Sequence, residues 1–167
     1  MLRVEPLNER DIIEIAAEFR AIGWHKPPEQ FHRYLGECRN GARSVLVARW
    51  EGKFAGYGTL TWVSGYPPFQ DSATPEIVDL NVLPRLRRRG IGSRLMDELE
   101  HLCEGRSTEV GIGVGLTEDY GAAQRLYALR GYIPDGRGAH SRTTAVRWGN
   151  TVLVDDNLVL YLTKSLG

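Results

Sequence analysis

The sequence predicts an α/β fold, a mixed sheet flanked by helices. Two observations carry that expectation. Apolar or alternating runs of strand length interleave with stretches of helical periodicity in the order β-α-α-β-β-β-α-β-α-β-β. The chain has 167 residues, 42% of them apolar, and no repeat, low-complexity run or linker breaks it, so a single domain over residues 1–167 is expected.

Leu2-Arg3-Val4-Glu5 alternates apolar and polar residues, a first strand that Pro6 ends. A helix follows, with Ile12, Ile15, Ala16, Phe19 and Ile22 at helical spacing and Gly23 as its stop. Trp24 to Pro28 is a stiff connector into a second helix from Pro28 to Cys38, whose apolar face is Phe31, Tyr34, Leu35 and Cys38. Residues 44–50 read as a buried strand, Glu51-Gly52-Lys53 as a tight return, and residues 54–63 as the second arm of a hairpin. Residues 64–75 are aromatic, proline-rich and without periodicity; they form either a pocket wall or a loop whose aromatics pack locally.

Glu76 to Val82 is a strand that Pro84 prevents from continuing. It leads into Arg85-Leu86-Arg87-Arg88-Arg89-Gly90-Ile91-Gly92-Ser93, and then into a helix over residues 91–104 with Leu95, Met96, Leu99, Leu102 and Cys103 on its buried face. Such a turn suits a phosphate group. Gly90 and Gly92 let the backbone approach a ligand, the helix start points amide N–H groups at it, and Arg87, Arg88 and Arg89 supply guanidinium donors. Residues 109–116 are the next strand, where Gly111, Gly113 and Gly115 leave room for close packing. A helix from Glu118 stops at Gly131 and runs into a strand, and residues 144–148, 152–154 and 158–162 read as closing strands.

Lysine and arginine number 21, aspartate and glutamate 21, so no net field draws the chain to nucleic acid or an anionic membrane; neither is an expected partner. The arginines between Arg85 and Arg94 are a local cluster without an RNP-like aromatic strand beside them. The turn lacks the Gly-Lys-Ser/Thr of a P-loop and the third glycine of a dinucleotide fingerprint. Cys38 and Cys103 stand outside any metal-ligand spacing, so neither a disulfide nor a metal is expected. Residues 1–10 carry charges, and no apolar run has the length of a signal peptide or a membrane span, so the expected location is cytoplasmic.

Arg87-x-x-Gly90-x-Gly92 between a strand and a helix resembles the coenzyme A pyrophosphate loop of the GNAT family of N-acetyltransferases. Ala123-x-x-Leu126-Tyr127-x-x-x-Gly131-Tyr132, about forty residues further on, is similar to that family's second signature. The resemblance covers nearly the whole chain and implies a mixed, mostly antiparallel central sheet. It implies acetyl-CoA as cosubstrate, without a metal, held at Val82, Arg87, Arg88, Arg89, Gly90, Ile91, Gly92 and Ser93. The implied reaction moves an acetyl group directly to a primary amine of a small-molecule or peptide acceptor. By the same resemblance the backbone N–H of Val82 polarises the carbonyl and the Tyr127 phenol protonates the leaving sulfur. Glu76 stands where the histone-modifying branch carries its base; Asp79, a water chain, and His25, His32 or His140 are the alternatives. Tyr120 departs from the pattern, occupying the place of an asparagine that bonds the pantetheine arm. A non-catalytic CoA-binding sensor or partner-binding module on the same fold is the alternative function, and a homodimer is compatible with either.

Overall fold

The computed structural model describes residues 1–167. Its eight-stranded sheet has the order β1-β2-β3-β4-β5-β8-β6-β7. β1 with β2, β2 with β3, β5 with β8, β6 with β8 and β6 with β7 pair antiparallel, whereas β4 and β5 run parallel because a helix makes the crossover between them. The mixed, mostly antiparallel sheet with flanking helices is therefore as expected. No helix is long and apolar enough to cross a membrane. The chain forms two compact units, residues 1–62 with 78–102, and residues 63–77 with 103–167.

In the first unit β1 (Leu2–Pro6), β2 (Arg43–Trp50) and β3 (Lys53–Thr61) make an antiparallel meander. The β2–β3 return puts Glu51 and Gly52 at φ of 51° and 81°, left-handed angles whose twist matches that of the strands they join. Helices α1 (Asp11–Ala21) and α2 (Pro28–Arg39) bring Ile12, Ile15, Phe19, Phe31 and Leu35 into one core cluster with Val45, Val47, Phe54 and Tyr57. Phe19 anchors that core, with its ring edge-on to Phe54 and Tyr57 at 5.6 and 5.7 Å. Arg49 joins α1 to β2 through Asp11 at 2.5 Å and Glu14 at 2.8 Å, while Glu14 also accepts the Phe54 N–H.

β4 (Glu76–Val82) contributes Val78 to Val82 to this unit, followed by α4 (Ile91–Cys103), whose Leu95, Met96 and Leu99 are fully buried. A Cβ on Gly56 of β3 would stand 2.4 Å from the Asn81 carbonyl oxygen, so only glycine lets the two backbones approach this closely.

In the second unit Glu76 and Ile77 pair with Gly111 and Ile112 of β5 (Glu109–Gly115). β8 (Leu158–Ser165) lies between β5 and β6 (Ile133–Ser141). The glycine face of β5 is filled by the protein's own rings. Cβ atoms on Gly111, Gly113 and Gly115 would meet Phe69 at 2.2 Å, Tyr161 at 3.2 Å and Tyr120 at 2.3 Å. The unit's other helices are α3 (Pro67–Asp71) and α5 (Gly121–Leu129).

Four expectations need correction. Residues 64–75 contain α3, whose Phe69 packs edge-on against Tyr66 at 4.9 Å; burial of these two rings orders a segment that has no periodicity of its own. The helix expected from Glu118 begins at Gly121, after a 3-10 turn over Glu118–Tyr120. The strand expected at residues 144–148 shrinks to β7, Thr144–Ala145, and residues 152–154 form no strand. Trp148, Leu153 and Val154 are exposed; apolar β-forming residues do not make a strand without a partner for their backbone.

Candidate active site

Within the first unit, the turn between β4 and α4 keeps the features a phosphate needs. Arg88 and Gly90 take left-handed angles, φ of 61° and 77°, and the space where a Gly90 Cβ would project is open. The Arg94 N–H donates to the Gly90 carbonyl at 2.9 Å, so the amides of Ile91, Gly92 and Ser93 precede the first hydrogen bond of α4, at its electropositive end. The arginines divide by what they touch. Arg85 pairs with Glu18 at 2.7 Å and Arg94 with Glu98 at 2.6 Å. Arg87 and Arg89 instead lie over the indoles of Trp24 and Trp50, at 5.7 and 5.5 Å. Such contacts are worth about 1 kcal/mol or less at exposed positions, so a phosphate can recruit those guanidiniums at little cost. Val82 thus ends β4, Arg87 to Gly90 lie in the turn and Ile91 to Ser93 open α4, and the open glycine and helix start fit a pyrophosphate.

Asp79 lies three residues before Val82, at a φ of 56° within β4. Its Oδ1 accepts from Lys26 at 2.5 Å and Asn81 at 2.8 Å; its Oδ2 accepts from Tyr57 at 2.5 Å and from Gln30 and Tyr34, each at 2.9 Å. Burial on its own would raise the carboxyl's pKa. The Lys26 charge and the hydrogen bonds from Lys26, Tyr57 and Tyr34 outweigh it and hold Asp79 below the usual carboxylate range. The same environment, burial first and the Asp79 charge second, pushes Tyr34 up to about 12 and Tyr57 higher still. An ionised carboxylate with five donors is a poor proton acceptor, because protonation would displace at least one of them.

In the second unit, Glu76 is 7% exposed and accepts from the Ser64 hydroxyl at 2.5 Å, while that hydroxyl accepts the Tyr66 N–H at 2.9 Å. Tyr66, 1% exposed, stacks on Tyr161 with centroids 3.6 Å apart. Its hydroxyl donates to Asp135 at 2.7 Å and lies 3.5 Å from His140 Nε2. Burial first, then the Glu76 and Asp135 charges, push Tyr161 up to about 12. Tyr66 is therefore a core residue of this polar and aromatic cluster, and among the candidate histidines His140 is buried with it while His25 and His32 are exposed.

Tyr127 stands in different surroundings, on α5, 6% exposed, with the Tyr132 ring 5.9 Å away. Burial, with a smaller contribution from Tyr120, pushes its phenol up to about 12, so it holds its proton throughout the neutral range. Tyr120, at the expected asparagine position, donates to Asp156 at 2.9 Å, while Gln124 donates to the Gly115 carbonyl at 2.8 Å. Ser64, Lys26 and Gln30 escaped the reading of the sequence. Their partners are 12, 53 and 49 residues away, beyond the reach of any local pattern.

A family model described as the acetyltransferase (GNAT) family matches residues 10–132. Among solved structures, a ribosomal-protein-alanine N-acetyltransferase from Brucella melitensis is 20% identical, with a TM-score of 0.71 over 98% of this chain and 99% of its own. An N-acetyltransferase from Staphylococcus aureus is 15% identical, with a TM-score of 0.73 over 100% and 99%. The protein yncA of Salmonella typhimurium, described with its cofactor acetyl-CoA, is 16% identical, with a TM-score of 0.67 over 99% and 94%. No curated protein matches the sequence.

Proposed function

The chain belongs to the acetyltransferase (GNAT) family, and from that premise we propose that it moves an acetyl group from acetyl-CoA directly to a primary amine of a small-molecule or peptide acceptor. The observation that carries this reading is the turn at the start of α4, with an open, left-handed Gly90 beside three exposed arginines.

When bound, acetyl-CoA supplies an acyl group already activated as a thioester. The turn from Arg87 to Ser93 binds the pyrophosphate through backbone amides and guanidiniums. The Val82 N–H polarises the acyl carbonyl, Glu76 takes a proton from the acceptor ammonium, and Tyr127 donates one to the leaving sulfur. Glu76 is preferred to Asp79 as the base because the donors around Asp79 keep it ionised and occupied. We place the activity in a reducing cytoplasm, with Cys38 and Cys103 as free thiols.

The test is thiol release from acetyl-CoA with a panel of primary amines, run beside calorimetric titration with CoA. Binding together with amine-dependent release is the expected result. Binding without release from any amine would favour a CoA-sensing module, and absence of binding would refute the reading.

A further inference from the structure

We propose that Ser64 is a positioning residue that keeps Glu76 ionised and fixes the direction of its carboxylate; its catalytic meaning rests on the reading of Glu76 as the base. The Ser64 hydroxyl has one proton to donate and two acceptor lone pairs, in a place that is 2% exposed. The Tyr66 N–H, at 2.9 Å, occupies a lone pair of the Ser64 oxygen. That leaves the proton directed at Glu76 Oε2, 2.5 Å away. A donated hydrogen bond stabilises the charged carboxylate over the neutral acid. With Oε2 held from this side, Oε1 is turned toward β5, where it stands 3.9 Å from the point a Gly113 Cβ would occupy.

The chain local to Ser64 supports the arrangement. Tyr66, two residues on, is locked by its stack on Tyr161, so the amide that orients the serine is itself fixed. Within this unit Tyr161 on β8 faces Glu76, Asp135 and His140 on β6 lie at the Tyr66 hydroxyl, and Glu109 on β5 accepts from Thr74. Tyr161 is held neutral, and Asp135 is engaged by the Tyr66 hydroxyl. Ser64 thus supplies a proton in hydrogen-bond contact with the carboxylate.

The decisive measurement is the Glu76 carboxyl titration followed by carbon-13 NMR in labelled protein, the signal being assigned by its loss in Glu76→Gln. Ser64→Ala is expected to raise the Glu76 pKa by about one unit, the change expected when a single donor to the charged form is removed. Ser64→Thr, which returns a hydroxyl, is expected to restore most of the native value. Should the alanine variant fail to fold, Ser64→Cys keeps an acceptor for the Tyr66 N–H with only a weak donor, and its shift decides the question in the same direction. A Glu76 pKa that is unchanged or lowered in any folded variant lacking the hydroxyl overturns the proposal. The base reading is judged separately, by pH–rate profiles of native enzyme and Glu76→Gln with spermidine, lysine methyl ester and a free alanyl peptide as probe amines. If Glu76→Gln keeps the native acid limb, Glu76 is not the base, whatever Ser64 does to its pKa. If that limb is lost, Ser64→Ala is expected to move it upward by the same amount as the titration, and an unmoved limb refutes the positioning role.

Discussion

Replacing Asp79 with asparagine isolates what its charge and second oxygen contribute. Asparagine tolerates the φ of 56° as well as aspartate does, so the backbone is not put under new strain. One oxygen becomes an NH2 group facing donors, either Lys26 and Asn81 or Gln30, Tyr34 and Tyr57. Breaking a buried ion pair from one side costs about 3–5 kcal/mol. Lys26 is 20% exposed and can turn to water, and the two tyrosine hydroxyls can rotate to accept from the new amide, which brings the expected loss to about 2–3 kcal/mol. For a domain of this size that lowers Tm by about 5–10 °C at pH 7.

The pH dependence adds a second check. The folded pKa of Asp79 lies below its unfolded value, so between the two the unfolded chain binds more protons and stability rises with pH. The contribution is complete above the unfolded value, about 4, and is lost as pH falls through the folded value. Thermal melts of both proteins from pH 7 down to pH 3 should therefore show a gap that narrows below about pH 4. A variant that melts within about 2 °C of the native protein at neutral pH, or a gap that stays constant on acidification, would refute this account of Asp79.

Tyr127→Phe keeps the buried ring and removes only the hydroxyl; near-native melting and CoA affinity are expected, with turnover lowered by roughly 10² in a thiol-release assay. Retained turnover would make Tyr127 a packing residue. Gly92→Val should weaken CoA binding at least about tenfold by calorimetry in a folded protein, because a branched side chain crowds the start of α4. Gly111→Ala places a Cβ 2.2 Å from the buried Phe69 ring and should cost about 1–3 kcal/mol in denaturant unfolding, with CoA affinity unchanged. An alanine variant as stable as the native protein would show that this face of β5 has room to spare.

What the sequence determined by itself was whatever forms within a few residues. Helix α1 follows from apolar residues at helical spacing, the Glu51-Gly52 return from its turn residues, and the β4–α4 turn from Gly90 and its arginines. Local torsional preference and one-sided burial suffice for these, and the same holds for the second signature, whose Gly131 takes a φ of 88°. Tertiary structure decided the rest. Asp79 looks like any strand carboxylate until Lys26, 53 residues earlier, and Tyr57, 22 residues earlier, reach it. Residues 152–154 carry a strand's composition but lack a strand's partner, whereas Phe69 and Tyr66 order an aperiodic segment because the bare glycine face of β5 and the ring of Tyr161 receive them. Hydrogen-bond partners and packing surfaces across such separations are set by topology, which no window of sequence contains.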